Sequence, residues 1–331
     1  MRIAVNGFGR IGRVFTRIAL QRGLEVVAVN DITDAATLAH LLGHDSTYGR
    51  LRATVEYTDE ALIVDGRKIA VTAQREPETL PWGDLGVDVV IESTGKFRTG
   101  AAAGAHLKAG ARKVLISAPA KGAVDLTVVM GVNQTEYDPA HHHVISNASC
   151  TTNCAAPMVD VLQRHFGIVE GFLTTIHGYT NDQQLLDGPH KDLRRARSAA
   201  LNIIPTSTGA AKAIGLVIPQ TAGLLDGIAV RVPVPTGSLV DLAAQLVTPA
   251  TPQEINAAFE QEAGERLRGI LRVSEEPLVS TDIIGDSASC VLDKALTQSH
   301  GGLAKVFGWY DNEWGYTERL ADLAEYVGAR L

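Results

Sequence analysis

A cysteine set among hydroxyl groups, Ser149-Cys150-Thr151-Thr152-Asn153, is the clearest chemical signal in the chain. It follows the apolar, β-branched run at Val144-Ile145 and opens a predicted helix from Cys154 onward. A helix N-terminus carries unpaired N–H groups and a partial positive charge, which favour an anion there. The same field lowers a cysteine pKa, so a thiolate nucleophile is expected near neutrality. The bland alternative is a buried, inert cysteine. His177 argues against it. Phe172-Leu173-Thr174-Thr175-Ile176 reads as a strand ending at His177, and a nucleophile and its base need only meet in space.

A second chemical signal stands at the start. Arg2-Ile3-Ala4-Val5 is a short apolar strand that runs into Asn6-Gly7-Phe8-Gly9-Arg10-Ile11-Gly12, a G-x-G-x-x-G. A helical pattern follows, with Val14 and Ile18 opposite Arg13 and Arg17. Val26-Val27-Ala28-Val29 is the next strand, closed by Asn30-Asp31. This is the dinucleotide fingerprint in its required context, with glycines that let a pyrophosphate approach a helix N-terminus. Asp31 stands where a carboxylate accepts from an adenine-ribose hydroxyl. A 2′-phosphate would meet that charge with no arginine adjacent in sequence, since Ile32 and Thr33 follow. NAD is therefore expected over NADP.

These groups need elements to position them. Before Cys150 strands and helices alternate, as in a doubly wound sheet. Val87–Glu92 and Lys113–Ser117 are buried-type strands, with a helix between them from Ala101 to Ala109. Ligands bind at strand C-terminal ends in such sheets, which marks Ser93, Thr94 and Ser117 as candidate cofactor contacts. After Cys150 the pattern changes. Gly171–Ile176, Leu225–Val234, Ser238–Val247 and Ala304–Trp309 read as strands of an antiparallel sheet. Thr206-Ser207-Thr208-Gly209 reads as a loop before a helix from Ala210 to Leu216, and Arg194-Arg195-Ala196-Arg197 and Arg231 supply fixed positive charge. The last segment, from Trp314, is amphipathic, with Leu320, Leu323, Ala324 and Val327 on one face. The expected division is 1–149 and 150–313, with 314–331 returning to the first domain.

Composition sets bounds. The 331 residues carry a net charge of −7, which argues against wholesale binding of nucleic acid. Three cysteines cannot make a disulfide framework, and no apolar run reaches membrane-spanning length. No signal-peptide pattern precedes the first strand, so a cytoplasmic place is expected. The consecutive histidines 141–143 rarely point together and have no further ligands at metal spacing, so no metal is expected.

Taken together, the glycine loop, Ala148-Ser149-Cys150-Thr151-Thr152-Asn153, Tyr179-Thr180-Asn181-Asp182-Gln183 and Trp309-Tyr310-Asp311-Asn312-Glu313-Trp314 resemble the signatures of phosphorylating glyceraldehyde-3-phosphate dehydrogenases of bacterial type, from end to end of the chain. The resemblance implies an α/β Rossmann-type dinucleotide-binding domain, an α+β catalytic domain with a mainly antiparallel sheet, and a homotetramer. It implies Cys150 as nucleophile and His177 as base. It implies Thr180, Arg195 and Arg231 on the substrate phosphate, and Ser149, Thr151, Thr208 and Gly209 on the attacking inorganic phosphate, with Arg195 between the two. Arg10, Ile11, Asp31, Arg75, Ser117 and Asn312 match cofactor contacts, beside Asn6, Gly7, Gly9 and Gly12 of the glycine loop. The implied reaction is NAD-dependent oxidation of glyceraldehyde 3-phosphate through a Cys150 thioester to 1,3-bisphosphoglycerate. Erythrose-4-phosphate dehydrogenase, which shares thiol, histidine and fold, is the alternative within the enzyme class. An idle scaffolding protein is the alternative outside it, and the intact Cys150–His177 pair weighs against that. Three positions depart from the family pattern: Ala155 in place of leucine, Gly178 in place of serine or alanine, and Ser207 in place of threonine. Neutral drift is the plain reading of them, and their clustering around Cys150 and the attacking-phosphate site raises an inhibitor-resistant isozyme as the alternative.

Overall fold

The glycine-loop strand Arg2–Asn6 lies near the middle of a nine-stranded sheet in the computed structural model, which describes residues 1–331. Arg2–Asn6 pairs in parallel with Glu25–Asn30 on one side and Val89–Glu92 on the other. Lys113–Ile116, Val144–Ser146 and Leu126–Thr127 continue the parallel run. At the other edge, Arg67–Thr72, Ala61–Val64 and Val55–Thr58 form an antiparallel meander. The central strands are buried on both faces, as apolar runs such as Val89-Val90-Ile91 require. Helix Arg10–Arg22 buries Val14, Phe15, Ile18 and Ala19 and ends at Gly23, whose φ of 72° closes the last turn.

The second sheet runs in the order Ile204–Ser207, Leu225–Val232, Ile168–Gly178, Ser238–Leu246, Leu303–Tyr310, Cys290–Asp293, Leu271–Ser274, and most of its pairs are antiparallel. Strand Ile168–Gly178 alternates from Glu170 to His177, and Leu173, Thr175 and His177 share its buried face. Helix Cys150–Phe166 packs against this strand and against Ser238–Leu246 and Leu303–Tyr310. Contacts divide the chain into two units, one of 1–128, 134–148 and 317–331 and the other of 129–133 and 149–316.

Two local expectations need correction. The single helix expected over Ala101–Ala109 is two short ones, Gly100–Ala103 and Ala105–Lys108, divided at Gly104. Glycine is the weakest ordinary helix former, and four-residue pieces have little cooperativity to carry a helix across it. Thr206 and Ser207 are not in a loop. They end strand Ile204–Ser207, opposite Ala229 and Ile228, because the β-branched run Ile203-Ile204 carries the extended chain through Pro205.

Candidate functional site

Ser149 fixes where the nucleophile's helix begins. It is the N-cap, and its Oγ accepts from Thr152 N at 3.0 Å. Cys150 is thereby the first helical residue, with a backbone N–H that has no partner inside the helix. Pairing of Ile168–Gly178 with Leu225–Val232 sets His177 opposite Arg231. Cys150 Sγ lies 3.4 Å from His177 Nε2, and the two candidate catalytic residues meet within the second unit.

The histidine ring is held from behind. Nδ1 lies 2.7 Å from Gly178 O and 2.5 Å from Arg231 Nη1, which also reaches Gly178 O at 3.3 Å. Accepting from the guanidinium places the ring proton on Nε2, whereas donating to the carbonyl makes Nε2 the acceptor facing sulfur that a base requires. Burial, and then the Arg231 charge, hold the imidazole's pKa down to about 3, so the ring is neutral at rest. The expected depression of the thiol pKa is corrected. Enclosure of the sulfur pushes the Cys150 thiol up, against the pull of Arg231 and the Thr151 donors. The resting pair is therefore thiol and neutral imidazole. Desolvation outweighs a helix terminus that acts from one side only.

Tyr310, which the sequence reading did not single out, supports both partners. Its hydroxyl bonds Thr151 Oγ1 at 2.9 Å and Thr175 Oγ1 at 2.8 Å, and its ring meets His177 edge-on with centroids 6.0 Å apart. Cys154, one turn after the nucleophile, is buried, with its Sγ 3.5 Å from Gly308 O.

The expected phosphate ligands form a chain of charge. Arg195 donates to Asp182 Oδ2 at 2.7 Å and to Thr206 Oγ1 at 2.8 Å, and Thr180 donates to Asp182 Oδ1. Burial pushes the Asp182 carboxyl up, yet the Thr180 hydroxyl and the charges of Arg231 and Arg195 outweigh it and hold it below the usual range. Arg231 Nε is buried without a partner, a donor open to an anion. Gly209 precedes helix Ala210–Val217 with open space where a side chain would stand, and Thr208 Oγ1 accepts from Ala210 N. Asp182 and Tyr310 stand inside two of the quoted signature motifs, but their roles were not legible there, because their partners lie far along the chain or inside an irregular segment.

The three departures sit differently. Ala155 is fully buried and Ser207 is exposed at its strand end. A Cβ at Gly178 would lie 3.0 Å from Val234 O and 3.2 Å from Thr236 Cα, so the chain beside the base leaves little room for a side chain.

In the first unit, a cavity of about 500 Å³ is lined by Asn6, Gly7, Gly9, Asp31, Arg75, Ser93 and Thr94, among others. Phe8 N and Thr33 N donate to Asp31 at 2.8 and 3.1 Å, which aims the carboxylate. Gly7 has φ 91°, and a Cβ on Gly12 would lie 2.2 Å from Gly7 O, so neither position accepts a side chain. Gly9, the N-cap of Arg10–Arg22, opens onto free space, a cradle that any Cβ would fill. These glycines fit a dinucleotide: one for the turn, one for approach of the pyrophosphate, one for packing. Arg10 pairs with Asp45 and lies over the Tyr48 ring, so it offers the cradle its backbone and not its charge. Ile11, Gly12 and Ser117 belong to this unit but not to the cavity wall, and Asn312 belongs to the other unit, where its Oδ1 accepts from Ser238 Oγ at 2.7 Å. Arg75 shares the wall with Asp31, a neighbour that sequence adjacency did not reveal.

Comparison with known proteins agrees with this chemistry. Residues 1–100 match the NAD binding domain of glyceraldehyde 3-phosphate dehydrogenase, and residues 149–312 match its C-terminal domain. The chain is 59% identical over 335 residues to a glyceraldehyde-3-phosphate dehydrogenase of Streptomyces coelicolor, covering 100% of this chain and 99% of the relative. It is 56% identical over 332 residues to that of Geobacillus stearothermophilus and 58% identical over 339 residues to that of Mycobacterium tuberculosis, with the same coverage.

Proposed function

The chain belongs to the glyceraldehyde-3-phosphate dehydrogenase family, and from that premise we propose which of its residues carry the reaction. It is an NAD-dependent oxidoreductase acting on glyceraldehyde 3-phosphate. Bound NAD supplies a two-electron hydride acceptor. Asn6, Gly7, Gly9, Asp31, Arg75, Ser93 and Thr94 would hold it along the cavity wall, and Arg10, Ile11, Gly12 and Ser117 of the same unit would complete the set.

Cys150 Sγ adds to the aldehyde carbon as its proton passes by way of His177 Nε2 to the carbonyl oxygen, giving a hemithioacetal and leaving the imidazole neutral again. The substrate phosphate binds Thr180, Arg195 and Arg231. An anion on Arg231 offsets the charge that opposes protonation of His177, so the substrate itself makes the base stronger. His177 takes the hemithioacetal hydroxyl proton as the carbon is oxidised, a role worth about 10²–10⁴-fold in rate. The Cys150 N–H and the imidazolium face the developing oxyanion. The product is a thioester on Cys150. Inorganic phosphate, held by Ser149, Thr151, Arg195, Thr208 and Gly209, attacks that carbonyl and expels the thiolate, leaving 1,3-bisphosphoglycerate.

The observation that carries this reading is the 3.4 Å approach of Cys150 Sγ to His177 Nε2, with Arg231 on the ring's far side. Mixing the protein with NAD and glyceraldehyde 3-phosphate, without inorganic phosphate, tests it. One NADH per chain is expected as a burst, with steady turnover only after phosphate is added. Full turnover without phosphate would mean hydrolysis of the thioester and a different enzyme. We place the reaction in the cytoplasm, where a free catalytic thiol stays reduced. No helix of the chain is long and apolar enough to cross a membrane. We further propose that it works as a homotetramer.

A further inference from the structure

The cofactor cavity rests on a buried polar chain centred on Glu92, a residue that has no part in the chemistry above. Glu92 ends the strand Val89–Glu92, and its register partner on the next strand is Asn6. Glu92, Asn6, Asn30 and His106 are all buried. Trp82 Nε1 donates to His106 Nδ1 at 2.9 Å. That bond puts the ring proton on Nε2, which donates to Glu92 Oε2 at 3.0 Å. Asn6 Nδ2 donates to the same oxygen at 2.5 Å. Oε1 accepts from Thr94 N at 2.9 Å and from the Thr94 hydroxyl. Four donors converge on two oxygens, which leaves no acceptor for a carboxyl proton and describes a carboxylate.

The chain of bonds continues to the cavity's far wall. Asn6 Oδ1 accepts from Asn30 Nδ2 at 2.7 Å, and Asn30 Oδ1 accepts from Gln74 N at 2.8 Å. Asn6, Asn30, Gln74 and Thr94 all line the cavity. The glycine loop lies directly on this support, since a Cβ on Gly7 would stand 2.6 Å from Thr94 N. A carboxylate beneath a pyrophosphate repels it, so Glu92 contributes nothing as a direct ligand. What it contributes is geometry, through bonds stronger than neutral ones.

We propose that Glu92 is a positioning residue for the dinucleotide: its carboxylate clamps the glycine loop, through Asn6, to the loop after Val89–Glu92, through Thr94, and presets the gap that receives the pyrophosphate. Trp82 and His106 hold the carboxylate from the protein side. A preset gap spares the ligand the cost of ordering two loops. Breaking one member of a satisfied buried network leaves the others unpaired, which makes the effect large.

The inference rests on NAD binding in this cavity, and titration of the full chain with NAD and with ADP-ribose separates the two. Glu92→Gln keeps the shape but turns an amide donor toward other donors. It should weaken both ligands about tenfold, a cost of about 1.4 kcal/mol. AMP, which lacks the pyrophosphate, should bind Glu92→Gln as it binds the wild type, a split that mere loosening of the fold would not give. Alkylation of Cys150 should proceed at the wild-type rate in Glu92→Gln. The proposal is overturned by a loss under about threefold, by a loss seen with NAD but not with ADP-ribose, or by an equal loss with AMP. Failure of the wild type to bind either ligand would instead overturn the cofactor reading. If Glu92→Gln does not fold, Glu92→Asp, which keeps the charge and shortens the reach, is judged by the same threefold limit.

Discussion

At the scale of single residues, the thiol and the imidazole divide the work by position. Cys150→Ser should abolish nearly all aldehyde oxidation, while Cys154→Ser should keep most of it, because Cys154 is buried against Gly308 and faces no reacting atom. His177→Asn should cost about 10²–10⁴-fold in kcat/KM. Steady-state rates of the three variants check this, and a dead Cys154→Ser with an active Cys150→Ser would reverse the assignment. The depressed pKa of His177 has a consequence for stability. The unfolded chain protonates this imidazole near pH 6.5, whereas the folded one resists until about pH 3. Between those values the unfolded state binds more protons, so stability falls as pH falls through that window. Denaturant unfolding at several pH values should show this slope in the wild type and a shallower one in His177→Asn. Equal slopes would mean that the ring is not held neutral.

Among the elements, what could be read from sequence was whatever depends on neighbours in the chain. The strand–glycine–helix start and the strand carrying His177 depend on short-range patterns and formed, and the helix expected from Cys154 formed as well but begins a turn earlier, at Cys150, where Ser149 caps it. Partners set by strand order were not legible. Arg75, named only through the family resemblance, reaches the cavity that holds Asp31 because Arg67–Thr72 pairs with Glu25–Asn30, a register no local pattern announces. The network from Trp82 through His106 to Glu92 and the seat of Tyr310 escaped for the same reason. Arg75 also changes the outlook for cofactor choice. NAD is expected to outperform NADP because the Asp31 carboxylate repels a 2′-phosphate. In Asp31→Ala that repulsion is gone and Arg75 is at hand, so the preference should narrow by about tenfold, near the 1.4 kcal/mol of one such charge contact. Asp31→Ala with Arg75→Ala should then lose the gained NADP activity. Comparable kcat/KM of the wild type with both cofactors would refute the role of Asp31.

Across the whole molecule, the chain exposes several large apolar side chains. Between strands Ile168–Gly178 and Ile204–Ser207, a segment with no helix or strand of its own carries Leu185, Leu186, Leu193 and Leu201 at 79%, 73%, 81% and 79% exposure. Phe172 and Ile228 are exposed as well, on neighbouring strands of the second sheet. Monomers rarely show contiguous apolar patches beyond a few hundred Å². A connection of this length inside a domain is uncommon unless something packs against it. The segment is nonetheless tied down from within: Arg197 bonds Asp187, Ser198 Oγ bonds Leu185 O, and Asn202 bonds Ser198 O. Those polar bonds hold the backbone while the leucines stay exposed, and another copy of the chain is expected to cover them. The expected assembly is a homotetramer. Light scattering of the wild type should give four chains per particle. Leu193→Asp with Leu201→Asp places charge on exposed positions only, so each chain should keep its circular dichroism while the particle shrinks and activity falls. A wild type that is a stable, fully active monomer would rule this out, as would a double variant that still assembles like the wild type.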